Sequence, residues 1–253
     1  MRGLKGKRVI ITGSGSGIGR EIARRFAEEG AEVAVFDVNE DGAAETVSLI
    51  EANGGRATSY IVNITDRAAI DAAVKLVESS GPVDILVNNA GWDKIVSFLD
   101  SDVDLWKKVI DINLYGPLHM HHAVLPGMVK NGGGRVINIS SDAARVGSSG
   151  EAVYSSCKGG IISFTKTVAR ELARSGIQLN VVCPGPTDTP LFAEIAGGEE
   201  GGSKIAESLK RAIPMRRLAQ PADFPGIVCF LGSDDAGFIT GQTISVSGGL
   251  TMH

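Results

Sequence analysis

The sequence predicts one α/β domain, a doubly wound parallel sheet of about seven strands with helices on both faces. Three observations predict it. Short β-rich runs alternate with helix-period segments along the chain. Several of those runs are continuous Val/Ile stretches of the kind buried on both faces. The first run enters its helix through a glycine-rich turn. Strands are expected at Arg8–Thr12, Glu32–Asp37, Ala57–Val62, Val83–Asn88, Arg135–Ser140, Gln178–Cys183 and Gln242–Ser247. Between the first two, Ile18, Ile22, Phe26 and Ala27 recur at helical spacing, and Gly30 stands where a helix would close. Ile70, Ala73, Val74 and Val77 form a second such stripe ahead of Gly81-Pro82. No repeat or boundary divides the chain, so residues 1–253 are expected as a single domain. A long excursion without strands runs from Pro184 to about Pro221 and contains Gly197-Gly198-Glu199-Glu200-Gly201-Gly202. A glycine-rich, acidic stretch inside a compact domain reads as a mobile substrate lid, here around residues 190–217.

With 253 residues, the chain can bury roughly three quarters of the surface that its unfolded form exposes. Apolar residues make up 43% and charged residues 21%, an ordinary balance for a soluble protein. A net charge of −4 with mixed signs argues against nucleic acid or an anionic membrane as partner, since both demand clustered positive charge. Cys157, Cys183 and Cys229 are too few and too far apart for a disulfide framework or a zinc knuckle, and read as reduced thiols in a cytoplasmic protein. No apolar run approaches membrane-spanning length.

The turn after the first strand reads Thr12-Gly13-Ser14-Gly15-Ser16-Gly17-Ile18-Gly19. Gly13, Gly17 and Gly19 allow a sharp turn and close approach to a diphosphate, whose charge would sit on the free N–H groups that open the helix beside Ser16, Gly17 and Ile18. A glycine-rich turn alone is weak; its place between a clear strand and a clear helix strengthens it. Asp37 ends the second strand, where a carboxylate accepts from the adenosine ribose hydroxyls and repels a 2′-phosphate. Val38 follows it, and the turn carries no Lys or Arg, so NAD is favoured over NADP as cofactor. The bland alternative is Asp37 as a turn residue before Asn39.

Tyr154-Ser155-Ser156-Cys157-Lys158 sets a phenol and an ammonium on one face of a helix. A free tyrosine, with its pKa of about 10, is a poor base at neutral pH, and a fixed cation beside it favours the phenolate. Ser141, after the strand Arg135–Ser140, can donate to a substrate oxygen. A lone Tyr-x-x-x-Lys is common by chance, and taken by itself it is a surface helix pair.

Taken together with Asn88-Asn89-Ala90-Gly91 after the fourth strand, Asn113, Ser141, Tyr154, Lys158, and Pro184-Gly185 with Thr187 and Thr189, these motifs resemble the short-chain dehydrogenase/reductases from end to end. The resemblance implies a Rossmann-type fold and NAD-dependent oxidation of a secondary alcohol to its ketone, or the reverse. It makes Tyr154 the acid/base, Ser141 the residue that polarises the substrate oxygen, and Lys158 the group that lowers the tyrosine pKa and grips the nicotinamide ribose. Asn113 would anchor a relay water, Thr187 and Thr189 would meet the carboxamide, and Asn89-Ala90-Gly91 would line the ribose. Asn63-Ile64 falls at the adenine pocket, where the family usually has Asp; an Asn oxygen can still accept from the adenine amine. The resemblance also implies a homotetramer.

Asn89 to Asp93, Leu118 to Met128, Ser141 to Glu151 and Gly232 to Ile239 further resemble the 2-hydroxycyclohexanecarboxyl-CoA dehydrogenases within that family. A cyclic hydroxyacyl-CoA is therefore the expected small-molecule substrate. A free aryl or alicyclic secondary alcohol is the alternative, and a non-catalytic NAD-binding scaffold is the alternative of another class. Lys210, Arg211, Arg216 and Arg217 either meet CoA phosphates or simply form a solvated helix end. His119, His121 and His122 lack the carboxylate or cysteine that would complete a ligand set, so no metal is expected.

Overall fold

In the computed structural model, seven strands line up in parallel among the described residues: β1 (Arg8–Thr12), β2 (Glu32–Asp37), β3 (Arg56–Ile61), β4 (Ile85–Asn88), β5 (Gly134–Ile139), β6 (Ile177–Pro184) and β7 (Thr243–Val246). Their order is β3-β2-β1-β4-β5-β6-β7. The structure describes the backbone of residues 1–195 and 198–252 and the side chains of 1–193 and 205–252. The helices are α1 (Gly17–Glu28), α2 (Glu40–Ala52), α3 (Arg67–Glu78), α4 (Val103–Ile110), α5 (Gly116–Lys130), α6 (Ala143–Val146), α7 (Ala152–Leu172), α8 (Pro190–Ile195), α9 (Gly198–Ala212) and α10 (Pro225–Gly232). Strand order reverses between β1 and β4, and in open parallel sheets the crevice at such a switch, beyond the strand carboxyl ends, is where ligands sit.

Strict alternation along each central strand explains the continuous apolar runs. Val9 and Ile11 face one core layer with Ile22, Phe26 and Val228, whereas Ile10 faces the other with Ile70, Val74 and Met120. Val33 and Val35 oppose Ala34 and Phe36 in the same way. Such strands have no polar face to spare, which is the signature of a sheet covered by helices on both sides. Phe26 is wholly buried, a contribution of roughly 1.5–3 kcal/mol. Strand β3 is one edge of the sheet and is largely exposed, as its polar Arg56, Thr58 and Ser59 suggest.

Local signals close the elements. Gly30 takes φ +85 after α1, and Asp66 opens α3 by accepting from the N–H groups of Ala68 and Ala69. The expected stripes lie on the buried faces of α1 and α3, with Ile18 only partly buried at the edge of the core. The excursion after β6 contains α8 and α9, so much of the stretch read as a lid is helical. Good helix formers follow its glycines, and Lys210 pairs with Glu207 one turn away. Gly197 lies outside the described residues. Among the described residues, no helix is long and apolar enough to cross a membrane.

Candidate active site

The carboxyl ends of β1, β2, β4, β5 and β6 bring the candidate residues to one side of the sheet. After β1 the chain turns through Gly13 (φ +63) and Gly17 (φ +52). A Cβ on Gly13 would stand 2.7 Å from the Ala90 Cα, and one on Gly19 would stand 2.1 Å from the Gly13 carbonyl oxygen. Side chains are therefore excluded where the backbone must approach a ligand. The Ser16 side chain does not cap α1, and no acidic residue occupies its first turn, so the helix N-terminus is open to an anion. Asn89 clips the turn to β4, donating from Nδ2 to the carbonyls of Thr12 (3.0 Å) and Gly13 (2.9 Å). Thr12 Oγ1 in return accepts from the N–H groups of Asn89 and Ala90, both at 3.1 Å.

Asp37 closes the far end of this cradle. One carboxylate oxygen accepts from Gly15 N–H (2.7 Å) and the other from Asn39 N–H (2.9 Å). Arg20, just behind the turn, is the nearby cation that sequence reasoning overlooked. Its guanidinium donates to the Gly15 carbonyl, to Thr46 Oγ1 (3.1 Å) and to Glu45 (2.6 Å), so it is already committed. Val38 projects to solvent. The residues present thus fit a nicotinamide dinucleotide, with the Asp37 carboxylate at the adenosine end of the cradle.

At the adenine position, Asn63 is exposed and Ile64 is buried. The Asn63 carboxamide oxygen already accepts from Thr65 N–H (3.0 Å) and Thr65 Oγ1 (2.9 Å). The expectation that this oxygen receives an adenine amine is therefore revised: its acceptor capacity is spent on the Thr65 turn, and Nδ2 is the polar group left to meet a base.

Tyr154 and Lys158 lie one turn apart on α7, and Ser141 follows β5. Ser140 Oγ donates to the Lys158 carbonyl (2.9 Å), which seats α7 against the end of β5. Burial pushes the Tyr154 phenol well above its ordinary pKa; Glu151 and Asp93 add to this, and a hydrogen bond from Ser141 opposes it. Lys158 is buried and pulled down to about 8 by desolvation. The expected lowering of the Tyr154 pKa by Lys158 is not what this arrangement gives. Lys158 Nζ donates to the Ile139 carbonyl at 3.0 Å and lies 5.6 Å from the tyrosine ring centroid.

Asn113 is wholly buried in a π-helical turn, Asp111–Tyr115, between α4 and α5. Single π turns are frequent at functional sites. Its Oδ1 accepts from Trp92 N–H (3.3 Å), and its Nδ2 donates to the carbonyls of Trp92 (2.6 Å) and Val109 (2.9 Å). Pro117 has no N–H to offer the Asn113 carbonyl in an ordinary helical bond, a signal the sequence carried and our reading missed. A Cβ on Gly91 would stand 2.9 Å from Asn113 Oδ1 and 3.2 Å from Lys158 Nζ, so this glycine lets the two polar side chains converge.

After β6, Pro184-Gly185 bends away. The Gly185 N–H donates to the Val246 carbonyl (3.0 Å), and Thr187 Oγ1 donates to the Gly185 carbonyl (2.8 Å). Thr189 Oγ1 accepts from Phe192 N–H (3.1 Å) and its methyl group lies 3.7 Å from the Cβ position of Gly17. Asp142, next to Ser141, accepts from Ser245 Oγ of β7, which in turn accepts from Arg145 (2.6 Å).

The three histidines go elsewhere. His121 is buried, its Nδ1 2.6 Å from the Pro117 carbonyl, and desolvation pulls its pKa down to about 4. Its Nε2 lies 3.2 Å from Asn138 Nδ2, and His122 lies 3.0 Å from Arg67.

The sequence pattern of the family described as Enoyl-(Acyl carrier protein) reductase matches residues 13–251. The chain is 35% identical over 250 residues to the 3-oxoacyl-(acyl-carrier-protein) reductase FabG of Thermotoga maritima, covering 98% of this chain and 99% of that protein. It is 37% identical over 251 residues to the (2S)-((R)-hydroxy(phenyl)methyl)succinyl-CoA dehydrogenase subunit BbsD of Thauera aromatica, covering 99% and 98%. A crystal structure from Sinorhizobium meliloti 1021, assigned as a short-chain alcohol dehydrogenase, superposes with a TM-score of 0.91 at 33% identity, covering 97% of this chain and 96% of that one. Likeness of this extent, in sequence and in fold, means that the chain belongs to the short-chain dehydrogenase/reductase family of oxidoreductases.

Proposed function

We propose that this protein is an NAD-dependent dehydrogenase that interconverts a secondary alcohol and its ketone, acting on a cyclic hydroxyacyl-CoA of the 2-hydroxycyclohexanecarboxyl-CoA type in the breakdown of aromatic or alicyclic acids. The observation that carries the reaction class is the convergence of Ser141, Tyr154 and Lys158 beyond β5, next to a nucleotide cradle that ends in Asp37. When bound, NAD supplies the hydride acceptor and a positively charged ring. Gly13 to Gly19 take its diphosphate, Asp37 its adenosine ribose, Asn63-Ile64 the adenine side, and Asn89-Ala90-Gly91 with Pro184, Gly185, Thr187 and Thr189 its nicotinamide end. Tyr154 takes the hydroxyl proton during oxidation and returns it during reduction. Ser141 holds the substrate oxygen, Lys158 fixes the ribose, and the Asn113 carbonyl anchors a water through which protons reach solvent.

Two relatives, by their names, act on thioesters, one of them a hydroxyacyl-CoA. A small cavity of about 20 Å³ beside Tyr154 has Val96, Phe98, Leu105 and Trp106 among its walls, apolar groups that a substrate ring would meet if the cavity widens to admit it. The same walls favour the second reading, a free aryl or alicyclic alcohol. The free buried thiols of Cys157, Cys183 and Cys229 suit the cytoplasm, and we infer a homotetramer. The deciding experiment follows NADH formation with 2-hydroxycyclohexanecarboxyl-CoA, 1-phenylethanol and cyclohexanol. Turnover of the thioester supports the proposal, and turnover of the free alcohols alone replaces its substrate. No NAD-dependent turnover of any alcohol would remove the reading.

A further inference from the structure

The cavity beside Tyr154 is not uniformly apolar. Asp93 and Glu151 line it together, one from the loop after β4 and the other at the N-terminal end of α7. Asp93 is only 4% exposed, and its Oδ2 is buried without a donor. Both carboxyls disfavour ionisation of Tyr154, and Glu151 disfavours ionisation of Asp93 while Lys158 opposes that effect. Where two carboxyl groups face one another away from water, holding one proton between them relieves their mutual repulsion. We propose that Asp93 and Glu151 form an acid pair that determines specificity, admitting a hydroxy compound whose neighbouring carbonyl is neutral and refusing the free carboxylate.

The physics of the refusal is direct. A substrate carboxylate next to the carbinol would stand against the charge of the pair in a small, partly apolar cavity, where like charges repel more strongly than in bulk water. A neutral acyl carbonyl has no such penalty, and it can accept the shared proton as a hydrogen bond. Burial and Glu151 push the Asp93 carboxyl well above the usual carboxylate range, which supplies that proton near neutral pH. The reaction class that must precede this enzyme is therefore activation of the acid, because the unactivated acid is excluded. This inference rests on the dehydrogenase reading above and narrows its substrate.

The test compares ethyl 2-hydroxycyclohexanecarboxylate with its sodium salt, each as cis and trans isomers, in the wild type and in D93N/E151Q. The wild type should favour the ester by at least a hundredfold in kcat/KM. The double variant should bring that ratio below ten, mainly through gain on the salt. An unchanged ratio in a folded variant overturns the acid pair while leaving NAD-linked alcohol oxidation standing. Calorimetry on the wild type, independent of turnover, compares cyclohexanecarboxamide with cyclohexanecarboxylate in the NADH complex. Tighter binding of the amide supports the pair, and equal or tighter binding of the anion overturns it. Binding that favours the amide in a protein inert toward every alcohol would instead sink the dehydrogenase reading.

Discussion

Lys158 holds its ammonium over the Tyr154 ring, 5.6 Å from the centroid, while Nζ gives its hydrogen bond to the Ile139 carbonyl at 3.0 Å. The phenol is thus left among groups that disfavour its ionisation, namely burial, Glu151 and Asp93. Lysine in this posture holds architecture, and an approaching cofactor ribose would be its next partner.

Alcohol oxidation needs the phenolate, and the raised Tyr154 pKa makes that form scarce at neutral pH. The rate of oxidation should therefore rise with pH. Ketone reduction needs the protonated phenol, so it should hold through neutrality and fall only on the alkaline side. Glu151→Gln removes a negative charge that raises the phenol, so the rise in oxidation should begin at lower pH. A shift to higher pH, read from kcat/KM profiles with a single alcohol, would contradict this arrangement.

Tyr154→Phe keeps the buried ring and removes the titrating hydroxyl. Turnover should fall by roughly a hundredfold or more, as for loss of a general acid/base, while NADH still quenches protein fluorescence. Retention of half the wild-type rate would exclude Tyr154 from proton transfer.

Asp37→Ala deletes the carboxylate that spans Gly15 and Asn39. Catalytic efficiency with NAD should drop and the NAD/NADP ratio should fall about tenfold or more, through loss of a charged hydrogen bond and of the repulsion toward a 2′-phosphate. A wild type that already prefers NADP would overturn the assignment of the second strand.

Arg217 is held by Asp223 in a bidentate pair at 2.6 and 2.8 Å, so it is a poorer phosphate ligand than the sequence suggested. Arg211 and Arg216 remain, both exposed, with Arg216 at φ +58 and donating to the Arg211 carbonyl. Arg211→Ala with Arg216→Ala should raise KM for an acyl-CoA roughly tenfold through lost charge-assisted contacts, and leave KM for a free cyclohexanol unchanged. Equal effects on both substrates would point to a fold defect.

Phe98, Leu99, Val103 and Tyr115 expose apolar surface around α4, and Phe238 is fully exposed before β7. Sedimentation should give a tetramer whose mass falls when Leu99 and Phe238 are both changed to Asp. A stable wild-type monomer at micromolar concentration would refute this.

The sheet was legible because Val9-Ile10-Ile11 and Val33-Ala34-Val35-Phe36 bury both of their faces, a pattern that few other environments tolerate. The glycine turn was legible because steric exclusion at Gly13 and Gly19 leaves no other residue type. What escaped was relational. That Glu151 and Asp93 line one cavity depends on how α7 lies against the loop after β4, and no local period encodes that. Whether Arg20 is free depends on Glu45 of the next helix. The direction of the Lys158 ammonium is a choice among rotamers, settled by a carbonyl from another strand.

Strand β7 also braces the site from far along the chain. Gly185 hangs on Val246, and Asp142 beside Ser141 is tied to Ser245, both in β7 near the end of the chain. Without β7 paired to β6, Ser141, Tyr154 and Lys158 would still be in the chain, but Gly185 and Asp142 would lose these ties. The reacting groups and the strand that steadies their surroundings are thus about a hundred residues apart in sequence, as Ser245 and Asp142 are.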